Sequence, residues 1–311
     1  MGTSIRFGVD LFLMLSGALS LGRDWDIKPF LSKRIPRITL PFLFWGFVLS
    51  MVYVAIAFAV PSFEAKIPSL TLRPILNFIL NAYLANSPSF GPYWFFWMIL
   101  GTYLIMPVFN KWLYNSDLRE AEYFLAIWLV VCLFENTLLM EFPVQLSYFS
   151  GAIGMVVLGY YLRHSKRKIF NNPYVALVGI ILSVSLMVMW SYHISTPTKT
   201  MFFDRYSIWV VVEVASIFLL FKNFDKFNIN SRFLSNPNGI LRKALVSIAK
   251  YSYGIYLVHE FVLIIILQKF LPKMTFGLSV IVYFVGSLAI SWAVMAILDR
   301  IPYINKVIGA K

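Results

Sequence analysis

The sequence predicts an all-α fold, a polytopic bundle of transmembrane helices in which residues 1–311 form a single membrane domain. Three observations predict it. Apolar runs near 20 residues long recur along the whole chain, each long enough to cross a bilayer as a helix. Only 13% of the residues are charged, against about 25% in a soluble globular chain. The single cysteine, Cys132, lies inside an apolar run, which excludes an intrachain disulfide framework and a cysteine-based metal site. The net charge of +13 is met by basic loops gathered on one side of a membrane, and no nucleic-acid partner is needed to explain it.

Nine spans follow in order, near residues 5–22, 38–60, 92–112, 122–140, 146–163, 174–192, 205–221, 250–268 and 275–298. The first carries Arg6 at its edge and Asp10 inside it. The second follows a basic cluster, Lys33, Arg34 and Arg37, and Pro36 and Pro41 are expected to disturb regular helix there. The segment 74–86, apolar on one side and carrying Asn77, Asn81 and Asn86, is too short to cross and reads as interfacial or re-entrant. The third span holds Tyr93, Trp94, Trp97 and Tyr103, is expected to end near Pro107, and resembles an aromatic belt at a membrane interface. The fourth holds Cys132 and Glu135. The glycines of GAIGMVVLG, opening the fifth, and of GTYLIMP, in the third, suit close helix packing. His193 reads as an interfacial histidine at the end of the sixth, and Glu213 lies in the seventh. The stretch 222–249 reads as the longest polar loop, with the turn signal SNPNG. The eighth span contains YSYGIYLVHE.

All but seven of the 27 lysines and arginines fall in stretches that face the cytoplasm if the N-terminus is outside. The positive-inside rule therefore predicts an N-out, C-in topology, and an odd number of spans agrees.

Charges within a bilayer are costly, so each one is a functional candidate. Besides Asp10, these are Glu135, Glu213, His259 and Glu260. Ser252, Tyr253, Tyr256 and His259 recur at helical spacing, so one face could present hydroxyls and an imidazole to the bundle interior. Two readings of His259 stay open on spacing alone: a packing histidine bonded to a neighbouring helix, or a working one. Arg34 and Arg37, three apart, can share a helical face. Paired guanidinium forks suit phosphate, while anionic lipid beside a span would satisfy them equally well. The chain has no nucleophile elbow, phosphate-binding loop, zinc-protease motif or Cys/His metal spacing.

Four stretches taken together resemble the acyltransferase-3 family of integral membrane acyltransferases: GVDLFLMLSG (8–17), KRIPRITLPFLFW (33–45), YWFFWMILGTYLIMPVF (93–109) and YSYGIYLVH (251–259), in that order. The chain looks most like the bacterial surface-polysaccharide O-acetyltransferases of that family. The resemblance implies ten spans in the bacterial inner membrane, acetyl-CoA as cytoplasmic acyl donor, and a hydroxyl of a cell-surface or lipid-linked glycan as acceptor, with no metal. It implies that Arg34 and Arg37, with Lys33 beside them, hold the phosphates of coenzyme A. Ser252, Tyr253, Tyr256, Leu257 and His259 match the family's SYxxYLxH element, and Asp10, Ser16 and Gly17 match the motif of its second span. Tyr93 and Trp94, like Asp10, Ser16, Ser252, Tyr253 and Tyr256, are expected to give substrate or structural support. The family's first span carries an arginine and, eleven positions on, a histidine held to be the base. Here Arg6 is followed by Gly17, so that span would lie upstream of Met1. The expectations are a chain lacking its first helix, impaired transfer by the 311 residues as written, and His259 either orienting the substrate beside a base on the absent helix or serving as the catalytic base itself. The rival class is a non-enzymatic exporter of lipid-linked sugar or polysaccharide, which paired broken helices in two halves would support. No such pairing is evident.

Overall fold

The computed structural model describes residues 7–60, 71–84, 88–146, 151–193, 205–227, 239–268, 271 and 274–310. Arg6, residues 235–238 of the turn signal and the side chain of His193 lie outside the described residues. The described residues form eleven α-helices and no strand: α1 (Phe7–Ser20), α2 (Ile27–Ala59), α3 (Leu72–Tyr83), α4 (Trp94–Asn115), α5 (Leu118–Cys132), α6 (Ala152–His164), α7 (Pro173–His193), α8 (Ile208–Lys222), α9 (Ile240–Lys250), α10 (Ser252–Phe261) and α11 (Phe276–Leu298). Single π-helical turns extend α5 over Leu133–Leu138 and α10 over Val262–Leu267. A 3-10 turn, Pro88–Tyr93, leads into α4. Every predicted span falls on a helix. Among the described residues, 27–59, 90–115, 118–138 and 277–298 are long and apolar enough to cross a bilayer unaided, and 240–250 with 252–267 reaches that length only when the two helices, bent by 74°, are counted together. The protein is a multi-pass membrane protein.

Several boundaries differ from the sequence reading. Helix α2 begins at Ile27 rather than near 38, so Lys33, Arg34 and Arg37 sit within it. Pro36 and Pro41 do not break it, and α4 likewise runs through Pro107 to Asn115. Each proline removes one ladder bond. In a membrane bundle the freed groups find other partners, and the helix persists. Up to Tyr83 the segment 74–86 belongs to the short amphipathic helix α3, which buries Phe78 and Ala82, while Asn86 lies outside the described residues. The second half of the expected loop 222–249 is helix α9. Helix α1 stops because Gly22 adopts a left-handed φ of +69° with the Tyr160 ring against it, where a Cβ would lie 2.4 Å from Cε2.

The chain divides into two compact units, one of residues 1–27 and 102–230, the other of 28–101 and 231–311. In the first, α1 packs along α6 at backbone contact. A Cβ on Gly17 would lie 1.8 Å from the Val156 carbonyl oxygen, and one on Gly159 would lie 2.0 Å from that of Met14. Gly154 receives the Trp128 indole in the same way. Basic side chains then close helix ends whose last carbonyls lack partners. Arg163 Nη1 donates to the Ala18 carbonyl at 2.6 Å, and Lys222 Nζ to that of Leu162 at 2.6 Å. Gly101, in the second unit, differs from these glycines: nothing lies within 4 Å of its Cβ position, so it serves no close packing.

The second unit is held by aromatic rings and side-chain donors. Phe42 of α2 stacks on Phe96 of α4 at 3.7 Å between ring centroids. Tyr83 of α3 donates to the Leu43 carbonyl at 2.7 Å, and Trp97 Nε1 donates to the Tyr83 carbonyl at 2.9 Å. Trp45 Nε1 reaches the Ile308 carbonyl at 3.1 Å, tying α2 to the C-terminal turn.

Candidate functional site

Helix α10 positions the site. Its residues Gly254, Ile255, Leu257, Val258 and Phe261 are buried, and this orients the remaining positions. Ser252 is exposed, and Tyr253, Tyr256, His259 and Glu260 are half-buried. Gly254 is required at its position, because a Cβ there would meet Met295 Sδ at 2.4 Å and the Ile308 carbonyl at 2.5 Å.

Two tyrosine hydroxyls on this helix bind two other parts of the unit. Tyr253 donates to the Ile38 carbonyl at 3.0 Å, one residue past Arg37 on α2. Tyr256 donates to the Pro92 carbonyl at 3.1 Å, one residue before Tyr93. The segments carrying Lys33, Arg34 and Arg37, Tyr93 and Trp94, and Ser252 to His259 therefore meet in the second unit. Asp10 and Ser16 belong to the first unit, both buried on α1.

His259 has one nitrogen committed. Its Nδ1 lies 2.7 Å from the Tyr256 carbonyl oxygen. Only an N–H can bond a carbonyl, so Nδ1 carries a proton, and in the neutral ring the lone pair is on Nε2. The helix at this point is pinned by Ser287 of α11, whose hydroxyl donates to the His259 carbonyl at 2.9 Å. Beside His259, the Glu260 carboxylate occupies the space where Gly91 has no side chain, with Oε2 2.9 Å from that Cβ position.

Tyr93 is not part of an interfacial belt, contrary to the sequence reading. It is 1% exposed, its ring 5.2 Å from that of Phe42 and 5.3 Å from that of Phe90, and Phe95, Phe96 and Tyr103 are buried as well. Rings at successive positions pack inward because this helix faces neighbours on more than one side. Trp94 is partly exposed and lies edge-on to Phe95. On α2, Lys33 and Arg37 are exposed one turn apart, while Arg34 is half-buried with its guanidinium 5.6 Å from the Phe30 ring centroid.

Ser287 and Gly91 escaped the sequence reading. Ser287 is one of several hydroxyls in an uncharged span, and its partner is a backbone carbonyl that no side-chain pattern reveals. Gly91 reads as an ordinary turn residue until the Glu260 carboxylate is placed over it.

Comparison with known families decides what this arrangement belongs to. The family model described as an acyltransferase domain, of the acyltransferase-3 type, matches residues 1–296. The chain belongs to this acyltransferase family. No curated protein and no solved structure gives a match. The protein is thus a membrane acyltransferase.

Proposed function

We propose that the protein moves an acetyl group from cytoplasmic acetyl-CoA to a hydroxyl of a cell-surface or lipid-linked glycan in the bacterial inner membrane, N-terminus outside and C-terminus inside. The observation that carries this reading is the pair of bonds from Tyr253 to the Ile38 carbonyl and from Tyr256 to the Pro92 carbonyl. They join a segment bearing three cations, a buried aromatic wall and a histidine with a lone pair on Nε2.

Each part has a chemical role. Arg34 and Arg37 offer planar donor forks to the phosphates of coenzyme A, and Lys33 adds a point charge beside them. The acceptor hydroxyl loses its proton to His259 Nε2 as its oxygen attacks the thioester carbonyl. The C–S bond then breaks and coenzyme A departs as the thiolate. Tyr256 and Ser287 hold the imidazole's backbone in place, while Tyr93, Trp94 and Ser252 shape the acceptor side.

The test is acetyl transfer by the 311-residue protein in proteoliposomes supplied with radiolabelled acetyl-CoA and a lipid-linked glycan. Transfer that falls at least about a hundredfold in His259→Gln, the low end of what general base catalysis supplies, supports His259 as the base. Arg34→Ala and Arg37→Ala should raise KM for acetyl-CoA with kcat nearly unchanged. Donor binding without transfer would remove His259 from that role. Flux of intact glycan without acetylation would favour an exporter.

A further inference from the structure

Helix α9, Ile240–Lys250, is the one α-helix among the described residues whose whole length buries nothing. Its sequence, ILRKALVSIAK, places Ile240, Leu241, Ala244, Leu245 and Ile248 on one stripe at helical spacing. Arg242, Lys243 and Lys250 lie on the opposite face, and the helix contains no acidic residue. The apolar stripe is not covered: Ile240 is 87% exposed, Leu241 50% and Leu245 48%. A soluble helix with this pattern would turn its stripe into a core. This one turns it outward while its neighbour α10 buries its own apolar side chains.

Orientation explains the exposure. Helix α9 and the segment Ser252–Leu267 are bent by 74° at the Tyr251 junction. A helix at that angle to a membrane-crossing segment runs close to the membrane plane. Its C-terminal end, at the bend, is anchored twice to α11 and the residue after it. Lys250 pairs with Asp299, and Trp292 Nε1 donates to Ser247 Oγ at 2.9 Å. Held this way, the helix cannot rotate to hide its stripe without breaking both contacts.

We infer that α9 is an interfacial helix that docks on the anionic surface of the bilayer. Leu241, Leu245 and Ile248 sink below the headgroups while Arg242 and Lys243 meet lipid phosphates. The partner is a lipid surface because both halves of the pattern suit one: an apolar stripe for the acyl boundary and, on the opposite face around the exposed Val246, cations with no acidic residue among them for anionic headgroups. Lys250 is committed to Asp299 and serves as the hinge instead. Since α9 continues into α10, which bears Tyr253, Tyr256 and His259, docking also sets the pose of the catalytic candidate. The inference depends on the chain being a membrane protein and not on the proposed acetyl transfer.

Fluorescence in nanodiscs tests it with the full chain. In a Cys132→Ala background, Leu245→Cys and Lys243→Cys are labelled separately with an environment-sensitive dye. The discs are made of phosphatidylcholine alone or with about one-third phosphatidylglycerol, each with and without brominated acyl chains. The inference expects the dye at position 245 to be blue-shifted and quenched several-fold more than at 243. It also expects quenching at 245 to rise with phosphatidylglycerol, and this rise to vanish in Arg242→Gln/Lys243→Gln. Equal quenching at 243 and 245, or no effect of anionic lipid, overturns it. Efficient disulfide cross-linking of unlabelled Leu245→Cys between copies also overturns it, in favour of a second copy as the occupant. Monodisperse elution of every variant separates these outcomes from misfolding, and none of the readouts depends on acetyl transfer.

Discussion

The two units of the chain hold their helices together by different means. In the first, glycines bring backbones into contact: Gly17 against Val156 and Gly159 against Met14, with Gly154 under the Trp128 indole. In the second, long side chains bridge helices and donate to backbone carbonyls: Tyr83 to Leu43, Tyr253 to Ile38, Tyr256 to Pro92 and Trp45 to Ile308. Lipid tails are as apolar as leucine, so neither unit gains from burying apolar surface alone, and close van der Waals contact or interhelical hydrogen bonds must serve. The difference concerns tolerance. A contact at the Cβ limit admits no added atom, whereas a hydroxyl donor can be lost with its ring still packed. The hydroxyl donors of the second unit, where most of the site candidates lie, can therefore be altered without collapse, whereas Gly254 there is as intolerant as Gly17.

The largest effect should follow from violating the glycine contacts. Gly17→Ala or Gly159→Ala forces backbone atoms apart and should cost about 3 kcal/mol. Denaturant titration in mixed micelles would show it as an early midpoint, and a midpoint matching the parent would break the contrast between the units.

Next in size is Tyr256→Phe, which removes one interhelical hydrogen bond, at about 1 kcal/mol of stability. Transfer should drop by about tenfold, equivalent to about 1.4 kcal/mol of activation energy. The same titration run beside the transfer assay separates the two, and a large stability loss with a proportionate activity loss would reduce Tyr256 to a structural post.

Gly101→Ala sharpens the point about glycine. With nothing near its Cβ position, the change should be neutral or stabilise by up to about 1 kcal/mol through helix propensity. A loss there would mean that glycine matters for reasons other than close approach.

The smallest effect concerns Asp299, whose carboxyl is held below the usual carboxylate range by the hydrogen bond from Lys250, with Tyr251 donating to the same oxygen at 2.8 Å. A depressed carboxyl contributes stability above its unfolded value, about 3.9, and loses it as the pH falls through the folded value. The melting temperature should therefore be level at neutral pH and decline below about pH 4. In Asp299→Asn this part of the decline should disappear, as scanning fluorimetry would show. An unchanged acid limb would mean that solvent screening cancels the pair.

Much of the helix order was legible because apolar run length is a local property. All nine expected spans coincide with helices, and the run YSYGIYLVHE marked the helix on which the site is built. The expected effect of Pro36, Pro41 and Pro107 was misread, because propensity weighs a missing N–H and not the neighbours that take up the freed groups. Within the aromatic stretch at 91–109, Tyr93 and Tyr103 were misread as belt residues, unlike the exposed Trp97, because composition does not tell an inward ring from one at the lipid interface. Helix α9 was misread as loop because its charges dominate its average, although its apolar stripe was present in the spacing.

The chain's own residues sufficed to establish an all-α membrane protein, the order of its spans and the resemblance that the family match bears out over residues 1–296. They could do so because periodicity, run length and motif spacing are written within a few turns of helix. The meeting of the site segments, the tautomer of His259 and the outward stripe of α9 were decided only by tertiary structure. The bonds from Tyr253 to Ile38 and from Tyr256 to Pro92 join residues 215 and 164 positions apart. Their acceptors are backbone carbonyls, which every residue possesses, so no pattern of side chains could have announced them.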